Sequence, residues 1–512
     1  MVSESTASTV AKKRVAGTRP KHKKNTRLHL TNVYGAIKES KFKRYIYHDV
    51  HQYRKYLHEG GVKFYSDSEL DSLIKAGVSD RLPPRATTYY MDLASRSTAI
   101  TNLIKARPEE TDDLSGQRDP SNQLRYSPVP GLLHKYELVL LYVVRACSSW
   151  CRYCYRSDFL TGKTEKDIGS IVEITKYIKD HNEKAANHNK PGMCVSEEII
   201  PIREALLSGG DPMVLSNKNL FDYMHGLAQA GVRMIRIGTK ELAFFPERFD
   251  ENFLNMLDLF HELHPRVGLA FMVHFTHPDE LLERDRETKE YIVKLDGGYK
   301  RIEQTENAII NLRSRHYVTL ENQTPIIDSV NDDPHTLRLL QKELKRIGIN
   351  NHYYFQCREI EGHKAFAVPV EKAWDIHRKS QVGLSGIEKS RFSMSTEEGK
   401  MEVIGVIDQV DTQKLGLDQN HPFANLISEL FGDGLIVFKM HRTPDPDMQS
   451  ALVVAKRNET ALWITDYEDR IVYDGRKTGN DRFGVLASLI APFIGNESSL
   501  KTVEQTIEAM AS

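Results

Sequence analysis

Leu138-Val-Leu-Leu-Tyr-Val-Val144 and the residues after it, Arg-Ala-Cys147-Ser-Ser-Trp-Cys151-Arg-Tyr-Cys154-Tyr-Arg156, carry the two signals that decide the fold. The short apolar run predicts a strand that is buried on both faces. The three cysteines follow it in the spacing CxxxCxxC, which predicts a metal-binding loop at the end of the strand.

Similar apolar runs return downstream, and each is followed by a longer amphipathic stretch. They lie at residues 205–208, 234–238, 267–273 and 317–320. Buried strands that alternate with helices predict an α/β fold, and we expect a full or partial TIM-type barrel of the (β/α)6 kind. In such barrels the chemistry lies at the carboxyl ends of the strands, where the cysteines stand.

The cysteine triad predicts an iron–sulfur cluster. A four-iron cluster is held by thiolates, so a local triad of Cys147, Cys151 and Cys154 without a fourth cysteine nearby predicts a [4Fe-4S] cluster with one iron open to a ligand. A zinc site or a redox dithiol is the alternative, although zinc ligands usually come as two separated pairs. Cys194 and Cys357 are isolated, and five cysteines in 512 residues argue against a disulfide scaffold. Because such a cluster needs a reducing compartment, we expect a cytoplasmic protein.

Composition excludes two broad classes of function. Lys+Arg and Asp+Glu balance at 70 each, so no global field favours nucleic acid. No apolar run approaches the roughly 20 residues that span a bilayer, and the mean hydropathy is −0.47. Residues 11–27 are basic and carry no acid, which is typical of a disordered arm, with an organellar transit peptide as the alternative.

The same survey predicts the organisation of the chain. Residues 40–105 are polar and helical, with one helix capped by Ser66 or Ser68, and residues 106–130 form a linker. Runs near 431–438, 450–455, 461–465 and 470–475 predict a small antiparallel sheet, followed by a helix at 483–494. The predicted regions are a basic arm (1–30), a helical region with linker (31–125), a barrel core (126–360), a segment of cofactor chemistry (361–410) and an α+β extension (411–512).

Several motifs follow the predicted strands in a fixed order. They are Tyr126–Tyr136, Cys147–Arg156, Leu206–Pro212, Ile235–Thr239, His274–Pro278, Asn322-Gln323, Val330–Asp332 and Tyr354–Cys357. In this order they resemble the radical SAM lysine 2,3-aminomutase family, with its glutamate and arginine relatives, from about residue 85 to residue 406. The resemblance implies an isomerase that moves an amino group from Cα to Cβ with a [4Fe-4S] cluster, S-adenosyl-L-methionine (SAM) and pyridoxal 5′-phosphate (PLP).

The resemblance also implies roles for the residues that carry it. The three cysteines match the cluster ligands, and the expected SAM-binding residues are Gly209, Gly210, Asp211, His274 and Gln323. His274 and His277 could instead be metal ligands, but no carboxylate or cysteine has matching spacing. Lys135 and Tyr136 match an arginine and a tyrosine that hold the PLP phosphate, although the spacing to the first cysteine is one residue shorter here.

The segment that would carry the PLP lysine departs from the family pattern. In the family it closes a glycine-rich segment, whereas the corresponding stretch here is Ser395-Thr-Glu-Glu-Gly399-Lys400, which is two residues shorter. Lys400 is the candidate for the covalent attachment. The alternative is a solvated lysine on a polar loop.

Three residues bear on the substrate. Arg156 matches the arginine that pairs with the substrate carboxylate. The lysine-specific enzymes hold the distant ammonium with two aspartates, and the matching positions here are Arg358 and Ser395. A lysine ammonium about 4 Å from Arg358 would meet roughly 4 kcal/mol of repulsion, so we expect glutamate or another non-basic amino acid. The alternative is that Arg358 pairs with Glu359 or Glu361 and faces away.

The predicted function is therefore a radical SAM, PLP-dependent 2,3-aminomutase. We expect an electron donor such as flavodoxin or ferredoxin and a homo-oligomer, without nucleic-acid or membrane partners. No cysteine follows Cys357, so the zinc site of some relatives cannot form. A PLP-independent radical SAM enzyme and a non-catalytic iron–sulfur protein remain as alternatives.

Overall fold

A computed structural model describes residues 30–478, apart from gaps at 42–45, 48, 59–62, 113, 120, 164–166, 195–196, 412–423, 425–426 and 429–430. The chain divides into two units, residues 1–37 and 38–512. In the first unit the structure describes helix α1 (Leu30–Ala36). The basic segment 11–27 and the predicted helix at 483–494 lie outside the described residues.

The second unit begins with short elements. They are β1 (Ile46–Tyr47), α2 (Val50–His58), α3 (Asp67–Lys75), α4 (Val78–Arg81), β2 (Ala86–Thr87), α5 (Thr88–Ala94) and α6 (Thr98–Ile104). The predicted cap of α3 is confirmed, because Ser66 and Glu69 form a reciprocal capping box. The predicted linker 106–130 contains the 3-10 turns Pro108–Thr111 and Gln123–Tyr126, and Glu110 in the first turn is buried.

Among the described residues, twelve strands form one sheet whose order follows the sequence. They are β3 (Leu132–Leu133), β4 (Val139–Val144), β5 (Glu204–Gly209), β6 (Met234–Thr239), β7 (Gly268–Val273), β8 (Val318–Ile326), β9 (Asn350–Gln356), β10 (Arg391–Ser395), β11 (Lys400–Ile407), β12 (Leu435–Arg442), β13 (Leu452–Lys456) and β14 (Ile471–Asp474). Strands β4 to β10 are parallel, whereas β3–β4 and β10 to β14 pair antiparallel.

Helices connect the parallel strands. They are α7 (Ser157–Leu160), α8 (Ile171–His188), α9 (Asn217–Gln229), α10 (Glu241–Phe244), α11 (Glu251–Leu263), α12 (Glu303–Arg313), α13 (Pro334–Arg346) and α14 (Val370–Ser380). The predicted α/β class and the six successive βα units are confirmed. The sheet is open, however, since β3 and β14 each pair with one described strand. A closed barrel is therefore not found, because β10 and the strands after it extend the sheet at the edge where closure would occur.

The C-terminal strands are antiparallel, as predicted, but they continue the main sheet instead of forming a separate one. The predicted strand at 461–465 is wrong. Asp466 accepts hydrogen bonds from the backbone N–H groups of Leu462 and Trp463, and this cap begins a 3-10 helix, Ile464–Arg470. The last described helix is α15 (Gly475–Thr478).

This topology brings the predicted motifs together. Because the strands from β4 to β10 run in one direction, their carboxyl ends lie at the same edge of the sheet, where open α/β folds bind ligands. The cysteine loop, the glycine loop, His274 and Arg358 all follow or end these strands. None of the described helices has the length and apolar character needed to cross a membrane.

Candidate active site

A cavity of about 370 Å³ opens at the carboxyl ends of the parallel strands. Every residue to which the sequence assigned a role lines it: Lys135, Tyr136, Cys147, Cys151, Cys154, Arg156, Gly209, Gly210, Asp211, His274, Gln323, Arg358, Ser395 and Lys400. Residues spread over more than half of the chain therefore share one cavity, and their individual roles remain predictions.

The three cysteines lie on one wall of this cavity, in the loop after β4. Burial raises the pKa of the Cys151 thiol to about 12, so a bound cation is needed to hold the thiolates in their charged form. Within the described residues, no three His, Cys, Asp or Glu side chains converge on a point that would hold one metal ion. A four-iron cluster does not need such convergence, because its thiolates bind different iron atoms. Three thiolates in one loop are the donor set that such a cluster uses.

A buried ion pair anchors the cysteine loop to the N-terminal region. Arg152, between the second and third cysteines, donates from Nε and Nη2 to Glu110 at 2.9 and 2.6 Å. Both side chains are fully buried. Arg81 also pairs with Glu110, and the Arg152 backbone N–H donates to the Leu103 carbonyl. Sequence reasoning missed Glu110, because one acid in a polar segment carries no local signal of burial.

The glycine loop packs against the backbone that leads into the first cysteine. Gly209 has φ +109°, and a Cβ there would lie 2.6 Å from the Val144 carbonyl oxygen. A Cβ on Gly210 would lie 2.2 Å from the Ala146 carbonyl oxygen. These glycines therefore permit a close approach between two strand ends. The Asp211 carboxylate accepts from the backbone N–H of Lys240 at 2.7 Å, which fixes the loop to the end of β6.

His274 presents a neutral imidazole to the cavity. Burial, and then the positive charge of Lys240, lowers the pKa of His274 well below its usual value. Its Nε2 lies 3.1 Å from the Tyr153 hydroxyl in the cysteine loop. Gln323, from β8, is half-buried and also faces the cavity.

Lys400 begins β11 and faces Ser395 across a hairpin. Thr396 closes this hairpin by donating its backbone N–H to the Gly399 carbonyl at 2.7 Å. A Cβ on Gly399 would lie 2.3 Å from the Arg442 carbonyl oxygen, so the one glycine that survives in the shortened segment is required where β12 passes. The alternative of a solvated loop lysine is therefore wrong.

The environment of Lys400 favours the uncharged amine. Its Nζ lies 4.4 Å from the centre of the Tyr353 ring, and no described carboxylate forms a salt bridge with it. Burial, and then the positive charges of Arg442, Arg358 and Arg236, lowers the pKa of Lys400 to about 7. Such a lysine is a nucleophile near neutral pH.

Lys135 stabilises the hairpin that carries Lys400. Its Nζ donates to the backbone carbonyls of Thr396 and Glu397, which leaves one of its three N–H donors. Tyr136 lies beside it, and burial raises the pKa of the Tyr136 hydroxyl to about 12.

Two arginines face the middle of the cavity and share an aromatic neighbour. The guanidinium carbons of Arg156 and Arg358 lie 4.7 and 4.4 Å from the centre of the Tyr155 ring. Arg156 donates to Ser208 and to the Gly209 carbonyl, while its buried Nε has no partner among the described residues.

The alternative pairing of Arg358 is wrong. Glu359 accepts from Thr465 at 2.9 Å, and Glu361 pairs with Arg118 at 2.8 Å. Arg358 has no carboxylate partner among the described residues and lines the cavity instead.

Positive charge dominates the lining. Besides Lys400, its charged side chains are the acid Asp211 and the cations Lys135, Arg156, Arg236, Lys240, Arg358 and Arg442. Arg236, Lys240 and Arg442 carried no prediction from the sequence. The cavity is therefore built to receive anionic groups.

Comparison with known proteins decides the family. A protein from Aquifex aeolicus (strain VF5), provisionally named L-lysine 2,3-aminomutase, is 30% identical over 401 residues, which cover 77% of this chain and 90% of the relative. This chain belongs to the lysine 2,3-aminomutase family. It is accordingly an enzyme, a radical SAM isomerase, and the non-catalytic alternative is set aside.

Other members of the lysine 2,3-aminomutase family match more weakly. The L-lysine 2,3-aminomutase of Acetoanaerobium sticklandii is 30% identical over 58% of this chain and 63% of its own length. The glutamate 2,3-aminomutase of Clostridioides difficile is 23% identical over 57% of this chain and 59% of its own length. These identities make this chain a divergent member.

Two further comparisons add nothing to the assignment. No protein-family profile matches the chain. A radical SAM methyltransferase structure from Sphaerobacter thermophilus matches 52% of this chain and 68% of its own, with 13% identity and a TM-score of 0.29.

Proposed function

We propose that this aminomutase is PLP-dependent and acts on glutamate or another non-basic amino acid. The observation that carries the proposal is the position of Lys400. It shares one cavity with the three cysteines, its pKa is lowered to about 7, and it lacks a carboxylate partner among the described residues. The shortened glycine segment, which favoured a PLP-independent enzyme, still delivers this lysine to the site.

The lining residues fit the groups that the family requires. Cys147, Cys151 and Cys154 would hold the cluster, and the loop at 209–211 with His274 and Gln323 would hold SAM. When bound, the cluster and SAM supply hydrogen abstraction, and PLP supplies a carrier for the migrating nitrogen. An electron donor such as flavodoxin or ferredoxin and a cytoplasmic location belong to the same proposal.

The chain itself contributes position, charge and exclusion of water. Lys400 offers an unprotonated amine for covalent attachment. Apolar and aromatic side chains also line this cavity, including Leu138, Leu140, Trp150, Leu160, Phe244, Met272 and Phe355. Excluding water protects reactive intermediates and strengthens each electrostatic contact inside the cavity.

The substrate assignment is supported by the charges. Arg156 and Arg358 both lie against the Tyr155 ring, and neither has a described carboxylate partner. A dicarboxylic amino acid would therefore satisfy both guanidinium groups. A lysine ammonium about 4 Å from Arg358 would instead meet roughly 4 kcal/mol of repulsion, or about three powers of ten in affinity.

Borohydride trapping tests the PLP dependence. Protein purified anaerobically is incubated with PLP, reduced and mapped by peptide mass spectrometry. We expect a pyridoxyl group on Lys400, its loss in Lys400→Arg, and its retention in Lys389→Arg, which changes an exposed lysine. Specific label on another lysine would relocate the PLP site. No specific label in the parent protein would refute PLP dependence and favour the PLP-independent enzyme.

A further inference from the structure

The extension after β11 contributes a cation to the active site. Strand β12 pairs antiparallel with β11, and in this register Arg442 is the partner of Lys400. The Arg442 side chain lines the same cavity, and its guanidinium carbon lies 4.5 Å from the centre of the Tyr136 ring. Arg442 lies beyond residue 406, where the sequence resemblance ends.

Lys135 is poorly placed to be the main phosphate ligand. Two of its three N–H donors are used by the carbonyls of Thr396 and Glu397, so its first task is to hold the Lys400 hairpin. Lysine also lacks the planar fork with which a guanidinium grips two phosphate oxygens. Lys135 therefore does not supply the bidentate phosphate contact that the family's arginine at this position can make.

Arg442 retains free donors. Among the described residues, Arg442 pairs with Glu137, whose side chain is 52% exposed. This pair leaves most of the five N–H donors of the Arg442 guanidinium without a described partner. An ion pair at such an exposed rim contributes little free energy of unfolding, so it does not account for an arginine inside the cavity.

We infer that Arg442, supplied by the C-terminal extension, is the bidentate ligand of the cofactor phosphate, with Tyr136 and the remaining donor of Lys135 beside it. The inference rests on the proposed PLP dependence. Arg442 is the strand partner of the lysine that would take the aldehyde, and its guanidinium carbon lies 4.5 Å from the centre of the Tyr136 ring. The extension thus completes a cofactor site that the core alone leaves short of one guanidinium.

The test compares PLP with pyridoxal, which has the same aldehyde and no phosphate. Dissociation constants of both are measured by absorbance on anaerobic protein and checked by borohydride trapping. In Arg442→Gln, we expect the ratio of the pyridoxal constant to the PLP constant to fall at least about tenfold. The ratio isolates the phosphate, because any effect of Arg442 on the Lys400 amine acts on both aldehydes alike.

Three further variants sharpen the result. Arg442→Lys keeps the charge and should recover part of the ratio. Glu137→Gln removes the rim partner and should keep the full ratio. Arg391→Gln changes an arginine of strand β10, on the other side of β11 from Arg442. Arg391 is 55% exposed and pairs with Glu402, so this variant should also keep the full ratio.

Each other outcome overturns the inference. A ratio unchanged in Arg442→Gln would show that Arg442 does not bind phosphate, even if PLP is trapped on Lys400. An equal loss in Glu137→Gln would assign the effect to the ion pair. If the parent protein traps neither aldehyde on Lys400, PLP dependence itself fails and the inference fails with it.

Discussion

Replacing Arg358 is the most direct test of the substrate assignment. The residue follows β9, lies against Tyr155 and has no carboxylate partner among the described residues. Burial, and then the charge of Arg156, lowers the pKa of the Arg358 guanidinium, so the folded protein holds this cation against a cost. We therefore expect Arg358→Gln to fold normally, because the change leaves no buried carboxylate unpaired.

The expected magnitudes follow from the contact that Arg358 would make. A charge-assisted hydrogen bond to a carboxylate contributes about 1.5–3 kcal/mol, so Arg358→Gln should lower kcat/KM for glutamate by roughly 10- to 150-fold. Arg358→Asp would place two carboxylates near each other. At 4 Å and an intermediate dielectric this costs about 4 kcal/mol, which should lower kcat/KM for glutamate about a thousandfold and admit lysine.

The assay separates substrate reading from folding. Reconstituted enzyme is given SAM, PLP, a reductant and either glutamate or lysine, and the β-amino acid products are quantified. Arg118→Gln is the matched control, because Arg118 is 66% exposed and pairs with Glu361 in the same loop. If Arg358→Gln keeps the parent kcat/KM for glutamate and the parent preference over lysine, Arg358 does not read the substrate side chain.

Three other perturbations test the rest of the site. Cys151→Ala should abolish iron binding and SAM cleavage together, measured as iron content and 5′-deoxyadenosine formation; cleavage without iron would overturn the cluster assignment. Glu110→Gln should destabilise the fold by about 3–5 kcal/mol, because it leaves Arg152 buried without its partner. It should also lower iron content at temperatures where the protein stays folded. Normal Tm and iron content would show that the ion pair between Glu110 and Arg152 does not anchor the cysteine loop. The pKa of Lys400 is about 7 in the folded protein, below its usual 10.5, so the unfolded chain binds more protons between these values. The denaturation midpoint of the PLP-free protein should therefore rise with pH from about 7 towards 10, and Lys400→Met should flatten that rise; equal slopes would place Lys400 in solvent.

Local sequence was sufficient to place most of the site. The strands β4 to β8 were predicted from short apolar runs, and the cysteine loop, the glycine loop and His274 stand at the carboxyl ends of their strands. The parallel topology then gathers the motifs without further information. Lys400 became a candidate through the family resemblance, and the hairpin geometry explains how a segment that is two residues shorter still places it at the cavity.

The missed residues depend on contacts between distant segments. Arg442 reaches the site because β12 pairs with β11 in a register broken by two irregularities, which no local pattern encodes. Glu110 lies in a polar stretch, and its burial depends on Arg152 of the cysteine loop. The open edge of the sheet has the same origin. It arises because β10 pairs with β9 and thereby adds a strand at the edge where a barrel would close.

The cations of the cavity have two coupled effects. Arg442, Arg358 and Arg236 disfavour a proton on Lys400, and the same charges attract anionic groups. An anionic cofactor and a dicarboxylic substrate would relieve the repulsion among these cations, so ligand binding should stabilise the fold by mass action. A substrate with a second ammonium group would add to the repulsion instead. Under the proposed function, the charge that would prepare Lys400 for covalent attachment would therefore also select against lysine as the substrate.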